Sequence, residues 1–381
     1  MPHEAAPQAT PDQALWPLYA LLTAALSITV GLMWDISWHR SIGRDTFWSP
    51  PHLLEQMAAV IAGLGCGWIV LRTTLVGSAE ERARGVRFWG FVGPLGAWVA
   101  IWGTLTMITS APFDDRWHDA YGLDVKVLSP PHMVLALGMG GIQVGAMLMA
   151  LARQNRAGPA EARRLGLVYL AVAAVMLTMH VTTLIERASF PNQMHSSRFY
   201  VFTGLAIPAF LCALARPSRR SWPATTIAAL YMALTLAMIW LLELSRARPR
   251  LAPIFNPIDR RVPPPFPLLL VAPAFAIDVL LARVREPDWW LSLAIGVSFV
   301  AALLTVQWFF ADFLLSPHAR NSFFAADRWD YDISVGAWRH QYWETEAPAD
   351  LLRGLGRAVV VASISARLGL WWGRGMASVQ R

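Results

Sequence analysis

Charge is scarce in this chain. Only 15% of its 381 residues are Asp, Glu, Lys or Arg and 55% are hydrophobic, where soluble domains carry about 25% charge. With 19 Trp and a mean hydropathy of +0.41, this composition excludes an ordinary water-soluble fold and reads as a membrane protein. Cysteine is scarcer still. Cys66 and Cys212 both fall inside apolar runs, which excludes a disulfide framework and a cysteine metal site. The 14 methionines are scattered, so no tract suited to passing copper(I) is present. A cleavage signature is also missing after the first apolar run. The stretch before it is polar, Pro-rich and acidic, and residues 1–16 are expected as a cytoplasmic tail ahead of a retained helix. The net charge of +7 comes from arginines in short loops between apolar runs. That distribution points to membrane anchoring and not to nucleic acid.

What is abundant is apolar length. Segments of roughly 20 residues, enough to cross a hydrocarbon core of about 30 Å, run approximately over 17–34, 53–72, 88–110, 131–151, 165–185, 199–215, 222–243, 266–284 and 289–311. The expected fold is therefore an all-α, polytopic integral membrane protein with about nine transmembrane helices. A membrane domain over 17–151 is followed by further membrane helices over 165–311. Residues 312–381 form a polar-aromatic tail and then an amphipathic helix, in which Arg353, Arg357 and Arg367 favour an interfacial placement. Arginines cluster after the second, fourth and sixth segments (Arg72, Arg82, Arg84, Arg87; Arg153, Arg156, Arg163, Arg164; Arg216, Arg219, Arg220), which by the positive-inside rule places those ends in the cytoplasm. One outer connection, 246–265, runs against this pattern with five arginines: Arg246, Arg248, Arg250, Arg260 and Arg261.

Two outer connections share a layout. Asp35, Trp38, His39, Gly43, Asp45 and Ser49-Pro50-Pro51-His52 recur as Asp114, Trp117, His118, Gly122, Asp124 and Ser129-Pro130-Pro131-His132. Residues four apart share a helix face, so Asp35 pairs with His39 and Asp114, rather than Asp115, with His118. His52 and His132 then return from the start of the following helix, whose first turn tolerates the paired prolines. Gly43 and Gly122 permit the reversal between them. Two imidazoles and one carboxylate form a triad for a divalent transition metal with positions left open. On residues alone the metal is iron, zinc, manganese or copper. Asp45 and Asp124 are candidate acceptors for the other ring nitrogen of a ligand histidine, with a salt bridge from Asp45 to Arg44 or Arg40 as the alternative.

The run from Trp38 to Glu55, Trp-His-Arg-Ser-Ile-Gly-Arg-Asp-Thr-Phe-Trp-Ser-Pro-Pro-His-Leu-Leu-Glu, resembles the C subunit of the membrane-bound copper monooxygenases, the particulate methane and ammonia monooxygenases. The resemblance covers residues 17 to about 150. It implies copper at Asp35, His39 and His52, the expected catalytic site. It implies a second copper at Asp114, His118 and His132, where the family has Asn in place of Asp114. It further implies a bacterial inner membrane with the metals near the periplasmic face. The implied reaction oxidises a small apolar substrate arriving from lipid with dioxygen. A-like and B-like partner subunits, or a homo-oligomer, would complete the assembly. A noncatalytic copper-binding subunit that stabilises or supplies a larger assembly is the alternative. A metal transporter or sensor is a third class, which would place ligands at mid-membrane depth.

Other residues carry smaller expectations. His180 lies inside an apolar run and His195 at the start of another, each with a packing role or a third metal position open to it. Ser316-Pro317-His318 lacks an upstream Asp and His pair and is not read as a third site. Asp327, Asp330, Asp332, His340 and Glu344 with Trp329, Trp338 and Trp343 are expected as a solvated or partner-docking face. Gly141 and Gly145 allow close helix packing or self-association.

Overall fold

The computed structural model describes residues 15–43, 46–122, 129–284, 288–334, 336–343 and 345–380. Asp45, Asp124 and Glu344 lie outside the described residues. In chain order the elements are α1 (Trp16–Ser41), α2 (Pro50–Val76), the short α3 (Ala79–Arg84), a hairpin of β1 (Val86–Phe88) and β2 (Phe91–Gly93), α4 (Leu95–Tyr121), α5 (Pro130–Arg156), α6 (Pro159–Leu184), α7 (Ser197–Ala215), α8 (Pro223–Glu243), α9 (Val271–Arg283), α10 (Asp288–Leu315) and α11 (Pro348–Ala377).

This is a largely helical, polytopic membrane protein. Among the described residues seven helices, α1, α2, α5, α6, α7, α8 and α10, are long and apolar enough to cross a membrane, against the nine expected. The segment expected over 88–110 is different in kind. Its first residues form the β1–β2 turn, and α4 starts at Leu95 and ends in a charged stretch with Asp114, Asp115, Arg116 and Asp119. The segment over 266–284 fails on length. Residues 263–265 and 267 are prolines, which hold the backbone extended, so α9 has only 13 residues, about 20 Å at 1.5 Å per residue.

Two antiparallel hairpins, α1–α2 and α4–α5, pack side by side. Glycine makes the second one tight. A Cβ at Gly103 would meet the backbone nitrogen of Ile142 at 2.6 Å and the carbonyl of Gly138 at 2.7 Å, and one at Gly145 would meet the carbonyl of Gly96 at 2.6 Å. Backbones therefore touch along α4 and α5, so Gly141 and Gly145 serve packing within the chain. Polar links join the hairpins at depth. Gln143 donates to Thr29 at 3.0 Å and Thr104 donates to the carbonyl of Ala59 at 3.2 Å. The most buried helix, α6, backs this pair against the remaining bundle.

Residues 351–372, expected as an interfacial helix, belong to α11, which runs beside α7 from end to end. Its buried face is a stripe of small residues: Gly354, Ala358, Ala362, Ser365, Ala366, Gly369 and Gly373. Gly354 lies against Ser197 at one end of α7 and Gly373 against Arg216 at the other. Such faces let helices approach closely. Pro208 interrupts α7, and Ser365 repairs the gap by donating to the carbonyl of Leu205 at 2.6 Å and accepting from the Ala209 N–H at 2.9 Å. Arg353, Arg357 and Arg367 point away from this seam.

The polar-aromatic tail caps one end of the bundle, with Trp329 inside and Asp332, Trp338 and Trp343 exposed. Trp329 is 2% and Tyr331 6% exposed. The Tyr331 carbonyl accepts from Phe255 and Asn256, and its N–H donates to the carbonyl of Arg40. The arginine-rich 246–265 connection closes the same end. Arg261 lies over the rings of Trp34 and Trp38 at 5.7 and 4.8 Å, and Arg260 donates to the Glu243 carbonyl at 3.1 Å. These pairings account for two of the five arginines that run against the loop-charge pattern.

Candidate metal centre

The last turns of α4 and the first turn of α5 build a buried cluster. Asp114 and His118 lie on one face of α4, and both are 7% exposed, while Asp115 on the other face is exposed. Asp114 Oδ2 is 3.5 Å from His118 Nε2 and Asp114 Oδ1 is 3.4 Å from His132 Nε2. The two rings sit 6.4 Å apart at 62°. One donor atom from each residue falls within 4.8 Å of the other two, and among the described residues no other group of three His, Cys, Asp or Glu does so.

Local sequence explains the convergence. Ser129 is extended at ψ 157°, Pro130 and Pro131 occupy the first turn of α5, and His132 follows directly. Gly122 ends α4 at φ +96°, a left-handed value that glycine adopts without strain. Its carbonyl oxygen lies 3.2 Å from His118 Nδ1. An Nδ1–H donated there leaves the Nε2 lone pair facing Asp114. For the other ring nitrogen of His118 the partner is thus a backbone carbonyl; Asp124 lies outside the described residues. The reversal at Gly43 has φ +79°, and a side chain there would also run into Tyr331.

A buried carboxylate between two imidazoles is expensive unless a cation or hydrogen bonds satisfy it. Asp114 Oδ1 and His118 Nε2 are buried and make no hydrogen bond. Two orphaned donors converging with a third nitrogen fit a divalent transition ion better than they fit packing.

The first cluster is looser. Asp35 Oδ1 is 3.3 Å from His52 Nε2 and Asp35 Oδ2 is 3.7 Å from His39 Nε2, so Asp35 reaches both rings as expected. The three donors do not gather as the second set does. His39 is the residue that stands off, with its side chain 32% exposed. Two equivalent three-donor sites are therefore not seen; one is.

The two clusters share a crevice that no spacing argument could reveal. His52, Glu55 and Gln56 line one side, and Ser110, Ala111, Asp114 and Pro131 the other, around about 10 Å³. That is close to the room for one water. Glu55, 2% exposed, is a second buried carboxylate here, one helical turn beyond His52. Its i,i+3 spacing from His52 on an apolar helix was a readable signal.

His180 and His195 have other partners. His180 stacks on Phe210 at 3.7 Å with Nε2 3.2 Å from the Ala206 carbonyl. His195 lies between the rings of Trp308 and Tyr342, each at 3.7 Å, and near Asp312 at 3.5 Å. His318 is exposed. Arg40 binds Asp330 at 2.6 Å, the Pro263 carbonyl at 2.6 Å and Glu186 at 3.8 Å. Burial raises the Glu186 carboxyl above its usual range and the nearby Arg40 opposes that rise.

No family model, no curated protein and no solved structure matches this chain. The functional reading rests on the cluster itself and on the motif around it.

Proposed function

We propose that the chain is a copper-binding membrane protein of an oxygen-activating system, either a monooxygenase or its metal-binding subunit, with Asp114, His118 and His132 as the copper ligands. The observation that carries this reading is the buried triad whose Asp114 Oδ1 and His118 Nε2 lack hydrogen bonds. The Trp38–Glu55 motif supports copper over iron, zinc or manganese by resemblance.

When bound, copper supplies one-electron chemistry and open coordination positions for dioxygen. The chain's own contributions are more specific. Gly122 holds the His118 ring, Asp114 offers the negative charge, and Phe47, Ala111, Pro131 and Leu135 give the crevice beside Asp114 an apolar wall. Asp35, His39 and His52 form the neighbouring donor set, with His52 on the same crevice, and we assign them a second, weaker copper position with a role in the reaction. A small apolar substrate would arrive from lipid. A-like and B-like subunits or further copies would complete the assembly, with the metal end at the periplasmic face of a bacterial inner membrane.

The crevice volume favours a second reading. Room for about one water beside Asp114 is small for a hydrocarbon substrate, as suits a noncatalytic copper subunit. Oxygen uptake with small hydrocarbons and ammonia under a quinol reductant separates the two. Turnover lost in His118→Ala with the protein still assembled supports the enzyme, and unchanged turnover removes this triad from the chemistry. Zinc in active preparations, with no copper, overturns the metal assignment.

A further inference from the structure

The opposite end of the bundle holds a pocket of about 50 Å³ between the ends of α2 and α5, α3 and the β1–β2 hairpin. Arg72, Arg84, Arg153 and Arg156 line it together with Trp68 and Glu81. Arg72 donates to Glu81 at 2.9 Å, Arg84 pairs with Glu80 at the rim, and Arg156 donates to the carbonyl of Gln380. Four guanidinium groups thus face two carboxylates.

The walls are fixed rather than loose. Glu81 closes a capping box with Ser78 at the start of α3. Thr74 accepts from the Val92 N–H at 2.8 Å, Trp98 donates to the Val86 carbonyl at 3.0 Å, and a Cβ on Gly93 would meet Val70 at 2.6 Å. A guanidinium fork suits phosphate oxygens, and basic pockets between membrane helices take anionic headgroups. The surroundings match a bilayer boundary. Trp16 and Trp68 pack at 4.9 Å beside the pocket, and Leu71, Leu75 and Val76 expose an apolar strip where α2 ends.

We propose that this pocket binds a phosphate group, offered by an anionic phospholipid or as inorganic phosphate. Arg72 lies 20 residues beyond His52 on α2, about 30 Å along the helix, so the site is independent of the metal cluster. The bound phosphate would tie the α2–α3 connection to the end of α5.

The full chain in nanodiscs of phosphatidylcholine alone, of phosphatidylcholine with phosphatidylglycerol, and of phosphatidylcholine with added inorganic phosphate tests this, read by native mass spectrometry and thermal midpoint. Retention of phosphatidylglycerol alone assigns a lipid, stabilisation by inorganic phosphate as well assigns the free ion, and neither overturns the proposal. Arg84→Gln and Arg156→Gln, both at accessible side chains, should each weaken binding about fivefold. Glu81→Gln, which keeps a cap-forming side chain, should tighten it. Unchanged binding across all three variants also overturns the proposal. Metal content should stay the same in each, which separates a local change from misfolding.

Discussion

His118 Nδ1 and the carbonyl oxygen of Gly122 lie 3.2 Å apart, so the turn that ends α4 also orients the ring that faces Asp114. Gly122 is needed for its φ of +96° and not for space, since a Cβ there meets nothing within 4 Å. Gly122→Ala should destabilise the turn by about 1–2 kcal/mol. It should also weaken metal binding by roughly tenfold through a misaimed imidazole. Titration of the purified variant with the metal checks this; an affinity equal to wild type would mean the turn does not position the ligand.

A second prediction concerns helix approach. Gly103→Ala places a methyl against the backbone of α5, where overpacking is destabilising by about 1–3 kcal/mol. Separation of α4 from α5 should lower metal occupancy although no ligand is touched. Gly140→Ala, on the facing helix α5 with nothing within 4 Å of a Cβ, should leave occupancy unchanged and not lower stability. Metal analysis and thermal melting of the two variants decide the point.

Arg40 gives a prediction about stability and pH. Its side chain is 8% exposed and bound to Asp330 and Glu186. Arg40→Met would leave two part-buried carboxylates without their cation, a loss of about 3–5 kcal/mol. Glu186 has a raised carboxyl, so it binds its proton more tightly folded than unfolded. Stability gained from that proton is present below the raised value and is lost as pH rises through it. The Arg40→Met penalty should therefore be full at neutral pH and shrink on acidification. Thermal midpoints across pH measure it; a penalty constant with pH would contradict the assignment.

The seam between α7 and α11 yields a fourth. Ser365 bonds two backbone groups of α7 beside Pro208, so Ser365→Ala leaves a part-buried N–H and carbonyl unmatched. A loss of about 1–3 kcal/mol is expected, read as a lower thermal midpoint in detergent.

How much was readable in advance divides along physical lines. Asp114, His118 and His132 were legible because the i,i+4 register and the prolines at the next helix start fix direction within a few residues. Apolar runs were legible as helices, but run length alone overcounted the spans. The prolines at 263–265 and the turn at 88–93 shorten two of them. The docking of α11 along α7 was not legible, because its arginines dominate a linear reading while the small residues that form its buried face carry no signal one by one. The unequal closure of the two triads was hidden as well. The matched Asp–His distances differ by only 0.2 Å (3.7 against 3.5) and 0.1 Å (3.3 against 3.4), so the difference lies in how the three donors stand relative to one another, which sequence spacing does not encode. The shared crevice between His52 and Asp114 arises from packing of two hairpins and has no local signature.

Metal content per chain is the most direct test of the buried cluster. Gently purified protein, together with His118→Ala, His132→Ala and His39→Ala, should be analysed for copper, zinc, iron and manganese. One tightly held transition ion in wild type, lost in His118→Ala and His132→Ala and kept in His39→Ala, is the predicted result. An ion retained in His118→Ala and His132→Ala, or no ion taken up by wild type on reconstitution, would contradict the account.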